Sequence, residues 1–225
     1  MSYPNGLPYA EYPDETTHGI DSITAEPRHD ALAIALRDHF AGYQGTTELL
    51  IDCRGQCRVS FDYVYSGEAF TVGELGLRFD MDTACREIQW RRQSEWDVYP
   101  DDHIGRPEGR AQASGPATAP PYTTKPTWPW HLDANEFGTR DFRAAKYNVY
   151  EAELTAPDGS GLRVDSDGTA DVRPCLAPGA VLLHVLQSRT PCLAWLPWPH
   201  SPAPARLAPG DHIKGSFAIR LLNPK

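Results

Sequence analysis

The chain has 225 residues, 40% of them hydrophobic, and a formal net charge of −9. That length suits one large all-β domain or two small ones, with enough apolar residues for a core. The acidic balance argues against a phosphate-backbone partner. No apolar run reaches the roughly 20 residues that span a bilayer, and the N-terminus MSYPNGLPYAEYPDETTHG carries neither the basic nor the apolar region of a secretory signal. The expectation is a cytoplasmic protein with no nucleic-acid and no membrane partner.

Residues 1–28 are polar with several prolines and read as an irregular leader or linker; residues 29–225 read as one domain. ALAIALRDHF puts Leu32, Ile34 and Leu36 on one face at period two, the mark of a strand. GYQG then reads as a turn. TELLIDCRG and QCRVSFDYVYSG alternate and are rich in β-branched and aromatic residues, so they predict a hairpin. FTVGELGLRFDM predicts one further strand, and REIQWRRQSEW another, with Ile88 and Trp90 alternating against charged neighbours. Residues 100–130, dense in Pro, Gly, Ala and Thr, read as a long loop. AKYNVYEAELTA is a strand, PDGSG a turn, LRVDSDG with ADVRPCL a second hairpin, AVLLHVLQS a buried strand and IKGSFAIRLL the last strand. No stretch carries a sustained 3.6-residue period. Many strands, Pro- and Gly-rich loops and no βαβ alternation predict antiparallel sheets packed face to face.

The five cysteines, Cys53, Cys57, Cys85, Cys175 and Cys192, form no CxxC pair. In a chain with no secretory signal they read as reduced thiols. The segment Arg54-Gly55-Gln56 could close a hairpin that sets Cys53 opposite Cys57, which leaves a disulfide as the alternative. No His cluster stands at ligand spacing, so neither a metal nor any other cofactor is expected.

Three segments carry candidate chemistry. The first runs from Trp90 to Asp102 and contains Glu95, Trp96, Asp97, Tyr99 and Asp101. Flat rings can stack on the C–H face of a sugar while carboxylates and Arg bond its hydroxyls; equally, Trp90 and Trp96 could be sandwich core or edge residues. The second runs from Trp128 to Arg143, with Trp130, Asn135, Glu136, Arg140 and Asp141, and could equally be a surface turn with ion pairs. The third is Trp195-Leu-Pro-Trp198-Pro-His200, a stiff Pro-rich loop that holds its rings out or caps a sheet edge. Glycoside hydrolysis needs two carboxyl groups roughly 5–9.5 Å apart across a cleft, and sequence alone shows no such pair. His103, His131 and His200 read as solvated loop histidines. There is no GxSxG, P-loop or HExxH.

At these segments the chain resembles the C-terminal part of glycoside hydrolase family 2, the β-galactosidase family. GELGLRFDM followed by REIQWRRQSEWDVYPDD is similar to a family strand leading into a Trp, a polar turn and an acidic-x-Tyr-Pro-Asp element. Asn135–Arg143 resembles the family's Asn-Gly-x-Arg-x-x-Arg region. AKYNVYEAELTAPDGSGLRVDSDG resembles the strand-turn-strand after it, and GDHIKGSFAIRLL the closing strand. The resemblance covers roughly residues 31–225. It implies an all-β, galactose-mutarotase-like supersandwich of antiparallel sheets that helps seat a β-galactoside or related sugar. The two catalytic glutamates of such enzymes lie in a separate (β/α)₈ barrel, which would need about 250 residues. The family's Gly-Gly-Asp-Asp-x-Trp loop is absent, with Trp195 or Trp198 as a loose stand-in for its tryptophan. The substrate-binding residues implied are Glu95, Trp96, Tyr99, Asp101, Asn135, Arg140, Asp141, Arg143, Trp195 and Trp198. No catalytic residue is expected in this chain, and a catalytic barrel domain or subunit is the expected partner. The competing readings are a stand-alone aldose-epimerase-like enzyme and a structural oligomerisation module on the same fold.

Overall fold

The computed structural model describes residues 15–93, 107–114, 130, 145–189 and 206–224. Among these, one short 3-10 helix, η1 (Glu15–Thr17), precedes thirteen strands. They are β1 (Gly19–Arg28), β2 (Ala31–Phe40), β3 (Tyr43–Asp52), β4 (Gln56–Tyr65), β5 (Phe70–Thr71), β6 (Glu74–Met81) and β7 (Glu87–Arg92). β8 (Glu108–Gln112), β9 (Lys146–Thr155), β10 (Gly161–Ala177), β11 (Ala180–Arg189), β12 (Arg206–Leu207) and β13 (His212–Leu222) complete the set. Apart from η1, every described element is a strand of antiparallel sheet, as expected. No helix among the described residues is long and apolar enough to cross a membrane.

The chain falls into two compact units. The first comprises Met1–Gly76 with Gln187–Ala218, the second Leu77–Leu186 with Ile219–Lys225.

In the first unit β1 to β4 form an antiparallel meander, and β13 lies beside β4. β4 shows why the meander folds: Val59, Phe61 and Tyr65 are buried while Arg58, Asp62 and Val64 at the alternate positions face water. This is the period-two pattern of a half-buried strand. Val72, Leu207, Ile213 and Phe217 add to the core, and β5 pairs with β12 through Leu207↔Phe70.

Several boundaries differ from the sequence expectation. Residues 19–28, read as the end of a leader, are strand β1, paired along its length with β2. Its side chains beyond Gly19 are exposed, so it has no apolar alternation to betray it. The turn expected over GYQG is only Ala41-Gly42; Tyr43, Gln44 and Gly45 are strand. Gly45 is not a turn residue but a close-approach residue. A Cβ there would stand 2.3 Å from the Asp62 carbonyl oxygen and 2.5 Å from the Tyr63 ring. FTVGELGLRFDM is two strands, broken at Val72-Gly73. The alternative in which Cys53 stands opposite Cys57 does not form, in keeping with the reduced-thiol reading. The three-residue loop is Cys53-Arg54-Gly55, and Cys57 stands opposite Ile51. The Asp52 carboxylate fixes that loop by accepting from the backbone N–H of Arg54 (2.8 Å) and Gln56 (2.9 Å). Cys53, Cys57, Cys85 and Cys175 are free thiols, and burial pushes the Cys57 and Cys85 thiols up from their ordinary pKa.

In the second unit the strand order is β6-β11-β10-β9-β7-β8. One face is apolar, with Ile88 and Trp90 from β7, Ala152 and Leu154 from β9, and Leu162 and Val164 from β10 all buried. The apolar run of β11 buries Val181, Leu183, Val185 and Leu186, as expected of an interior strand. Two expectations change here. LRVDSDG and ADVRPCL are not a hairpin but one 17-residue strand, β10, with a register break between Asp165 and Ala170. Gly168 (φ 94°) lets the chain make that break without reversing, and the ring of Tyr150 lies where its Cβ would be. The region 100–130 contains strand β8, whose sequence EGRAQ lacks an apolar pattern.

Candidate functional site

β7 runs antiparallel to β9, so the end of β7 and the start of β9 lie together. Arg92 pairs with Val149, and the Gln93 N–H donates to the Asn148 carbonyl (2.9 Å). This end of the second unit concentrates charge inside an apolar layer. Lys146, Asp171, Arg173 and His184 are all buried, Lys146 and Arg173 to within 1% of completely. Taking an ammonium or guanidinium out of water is costly unless other groups compensate.

Part of the compensation is visible. The Lys146 ammonium sits 4.6 Å from the centroid of the buried Trp90 ring, in cation–π range. The Asp171 carboxylate accepts the backbone N–H of Asn148 at 2.8 Å. Burial pulls the Arg92 guanidinium below its ordinary pKa, with Tyr147 and Asp171 acting in the opposite direction. His184 stands opposite Arg173 in the β10–β11 ladder. Its Nδ1 is 3.0 Å from the Arg173 carbonyl oxygen. A carbonyl only accepts, so Nδ1 carries the proton in this contact, which fixes the tautomer.

The backbone is unusual at the same place. Asn148 is the only non-glycine with positive φ among the described residues, at 54°. The β9–β10 register shifts on either side of Ala170, and the β7–β9 register shifts at Arg91/Arg92. Bulges and left-handed residues of this kind recur beside functional sites, where they re-aim side chains. Asn is the non-glycine side chain that tolerates this conformation best. Lys146, Asp171, Arg173, His184 and Trp90 are buried too deeply to touch a ligand; what they can do is fix the strand end from which exposed groups project.

Of the three sequence candidates, the residues expected to touch sugar lie outside the described residues: Glu95, Trp96, Tyr99, Asp101, Asn135, Arg140, Asp141, Arg143, Trp195 and Trp198, and with them His103, His131 and His200. The strands that flank two of those segments are described. Residues 94–106 follow Gln93, and residues 131–144 precede Ala145 at the head of β9, so both segments attach at the Asn148 end. Trp90 is a buried core ring, and Trp130 is fully buried with its indole N–H donating to the Arg86 carbonyl (2.9 Å). Sequence reasoning missed Lys146, Asp171, Arg173 and His184. The signal was present: each is a charged or titratable residue inside a run otherwise fit for a buried strand, as in ADVRPCL and AVLLHVLQS.

No protein-family model matches the chain, and no curated protein matches it in sequence. Solved structures do show similarity. A putative aldose 1-epimerase from Escherichia coli K12 is 13% identical, with a TM-score of 0.40 over 89% of this chain and 68% of that one. A GH36 α-galactosidase from Geobacillus stearothermophilus, solved with stachyose, is 13% identical with a TM-score of 0.48; the match covers 98% of this chain but only 29% of that enzyme. A galactose mutarotase related enzyme from Lactobacillus acidophilus is 11% identical with a TM-score of 0.34, covering 91% of this chain and 72% of that one.

Proposed function

We propose that this chain is a carbohydrate-binding domain of the galactose-mutarotase-like type that completes the sugar site of a glycoside hydrolase barrel, as in the β-galactosidases of glycoside hydrolase family 2. The observation that carries the proposal is the buried, charged end of β7, β9 and β10, with strained Asn148 held by Asp171, at which the segments bearing Trp96 and Arg143 attach. In this reading the strand end is a rigid floor and the attached segments supply the contacts: Trp96 as a stacking face, Arg140 and Arg143 as forked donors, Asp101 and Asn135 as acceptors for vicinal hydroxyls. In these 225 residues alone little sugar surface is buried, and affinity for galactose or lactose is about millimolar, roughly 4 kcal/mol. Calorimetric titration of the whole chain tests this. Binding should weaken at least fivefold in Trp96→Ala and Arg143→Ala, and binding that survives both changes would move the site elsewhere.

A second reading has one observation in its favour. His184 has a fixed tautomer and pairs with Arg173, two residues along β10 from the buried acid Asp171. An aldose epimerase needs an acid and a base facing the anomeric carbon and the ring oxygen. Polarimetry decides it. Acceleration of α-galactose mutarotation that is lost in His184→Gln would favour the epimerase over the accessory domain.

A further inference from the structure

The other face of the second unit's sheet is polar and ordered by register. Gln112, Glu87 and Thr155 share one rung across β8, β7 and β9, and Gln89 and Glu153 share the next. A cleft of about 670 Å³ opens over these side chains. That volume falls within the range of small-molecule sites. Its walls include Arg86, the turn Ala156–Gly159 and Leu222.

The floor is preorganised. The Glu87 carboxylate accepts from the side-chain amide of Gln89 at 2.9 Å, and its other oxygen accepts from the amide of Gln112. Each amide therefore keeps its carbonyl oxygen and a second N–H for a ligand. Glu153 is held by Arg163 at 3.2 Å, and the Asp158 carboxylate is occupied by the N–H (2.9 Å) and hydroxyl (2.6 Å) of Ser160. We propose that this cleft is a second ligand site, and that its ligand is a neutral polyhydroxylated molecule of one or two sugar rings.

The chemistry selects that class. The lining carries Glu87, Glu153 and Asp158 against Arg86, which opposes anions; Glu153 is already paired with Arg163 and Asp158 is bonded by Ser160, which weakens the hold on a polycation. Acceptors and donors on neighbouring strands, roughly 4.8 Å apart, match hydroxyls on opposite edges of a pyranose ring. Ala156, Pro157 and Leu222 give an apolar wall for its C–H face. What occupies the cleft does not depend on what binds at the Asp171 end.

The test is a ¹H–¹⁵N NMR titration of the whole chain with lactose, maltose and sucrose, and separately with spermidine. At least one saccharide should shift the backbone amides of Gln112, Thr155 and Gly159 saturably. Glu87→Gln should weaken that binding at least fivefold, and Gln112→Leu should do the same without touching the core face. Asp171→Asn should leave it within twofold, which separates this site from the one proposed above. The inference is overturned if no saccharide moves these amides, if only spermidine does, or if the shifts persist unchanged in both cleft variants.

Discussion

Four single residues test the local physics. Tyr63 shares a ladder position with Gly45 and Asp38, and its ring passes over Gly45 so that its hydroxyl donates to Asp38 at 2.7 Å. His18 bonds the other Asp38 oxygen at 2.9 Å, and the Thr47 hydroxyl lies 3.0 Å from the phenol. Burial, aided by Asp38 and opposed by Thr47, raises the Tyr63 pKa from 10 to about 12. A raised pKa means that the fold favours the protonated phenol. The resulting stability is complete below pH 10 and is lost as pH rises through about 12. An ultraviolet titration should show a late tyrosinate component near pH 12 that disappears in Tyr63→Phe. Gly45→Ala should destabilise the fold by about 1–3 kcal/mol, read by urea unfolding, because the new methyl meets strand backbone and the Tyr63 ring. In the second unit, Asp171→Ala leaves the Asn148 N–H without its acceptor and should cost about 1–3 kcal/mol. Asn148→Val should cost about 1–2 kcal/mol, because a β-branched residue resists positive φ. A cost near zero at Asn148 would remove the strain from the account of the site.

At the scale of elements, alternation told the truth wherever one face is buried. β4, β7, β9 and β13 fall close to their expected places because apolar residues recur at every second position against a core, β11 does so by its continuous apolar run, and β2 does so although its Leu32 is exposed. The misses share a cause: the decisive interaction was not hydrophobic. β1 is held by backbone pairing to β2 with little burial, and β8 by pairing to β7 with none of its sequence apolar enough to signal a strand. SDG looked like a reversal because Gly and Asp favour turns, yet here Ser166 bonds the Val149 carbonyl and Gly168 takes up the break within β10. GYQG looked like a turn for the same reason, when Gly45 was required by the Tyr63 ring. The candidate site was legible only in part. The aromatic and charged segments stood out by composition, whereas Lys146, Asp171, Arg173 and His184 were hidden inside strands, where periodicity draws attention to their apolar neighbours. Ile88→Ala, which empties a fully buried position beside Trp90, should cost about 2–5 kcal/mol. A loss below 1 kcal/mol would mean that this layer of the second unit is not packed as described.

For the whole molecule, the proposed function is that the all-β chain seats a sugar over the buried charged strand end, without cleaving it. Purified chain should release no chromophore from an aryl β-galactoside above the buffer rate, since the two catalytic carboxylates of such enzymes belong to a barrel of about 250 residues. A rate abolished by changing one acidic residue of this chain would make it an enzyme in its own right. The most direct measurement is an NMR titration with galactose that follows the backbone amides of Gln93, Asn148 and Arg173. The account predicts saturable shifts at these three with a dissociation constant of about 1 mM, at least fivefold weaker in Arg143→Ala. Galactose that leaves all three unmoved at saturating concentration, or that shifts them equally in the variant, would contradict it.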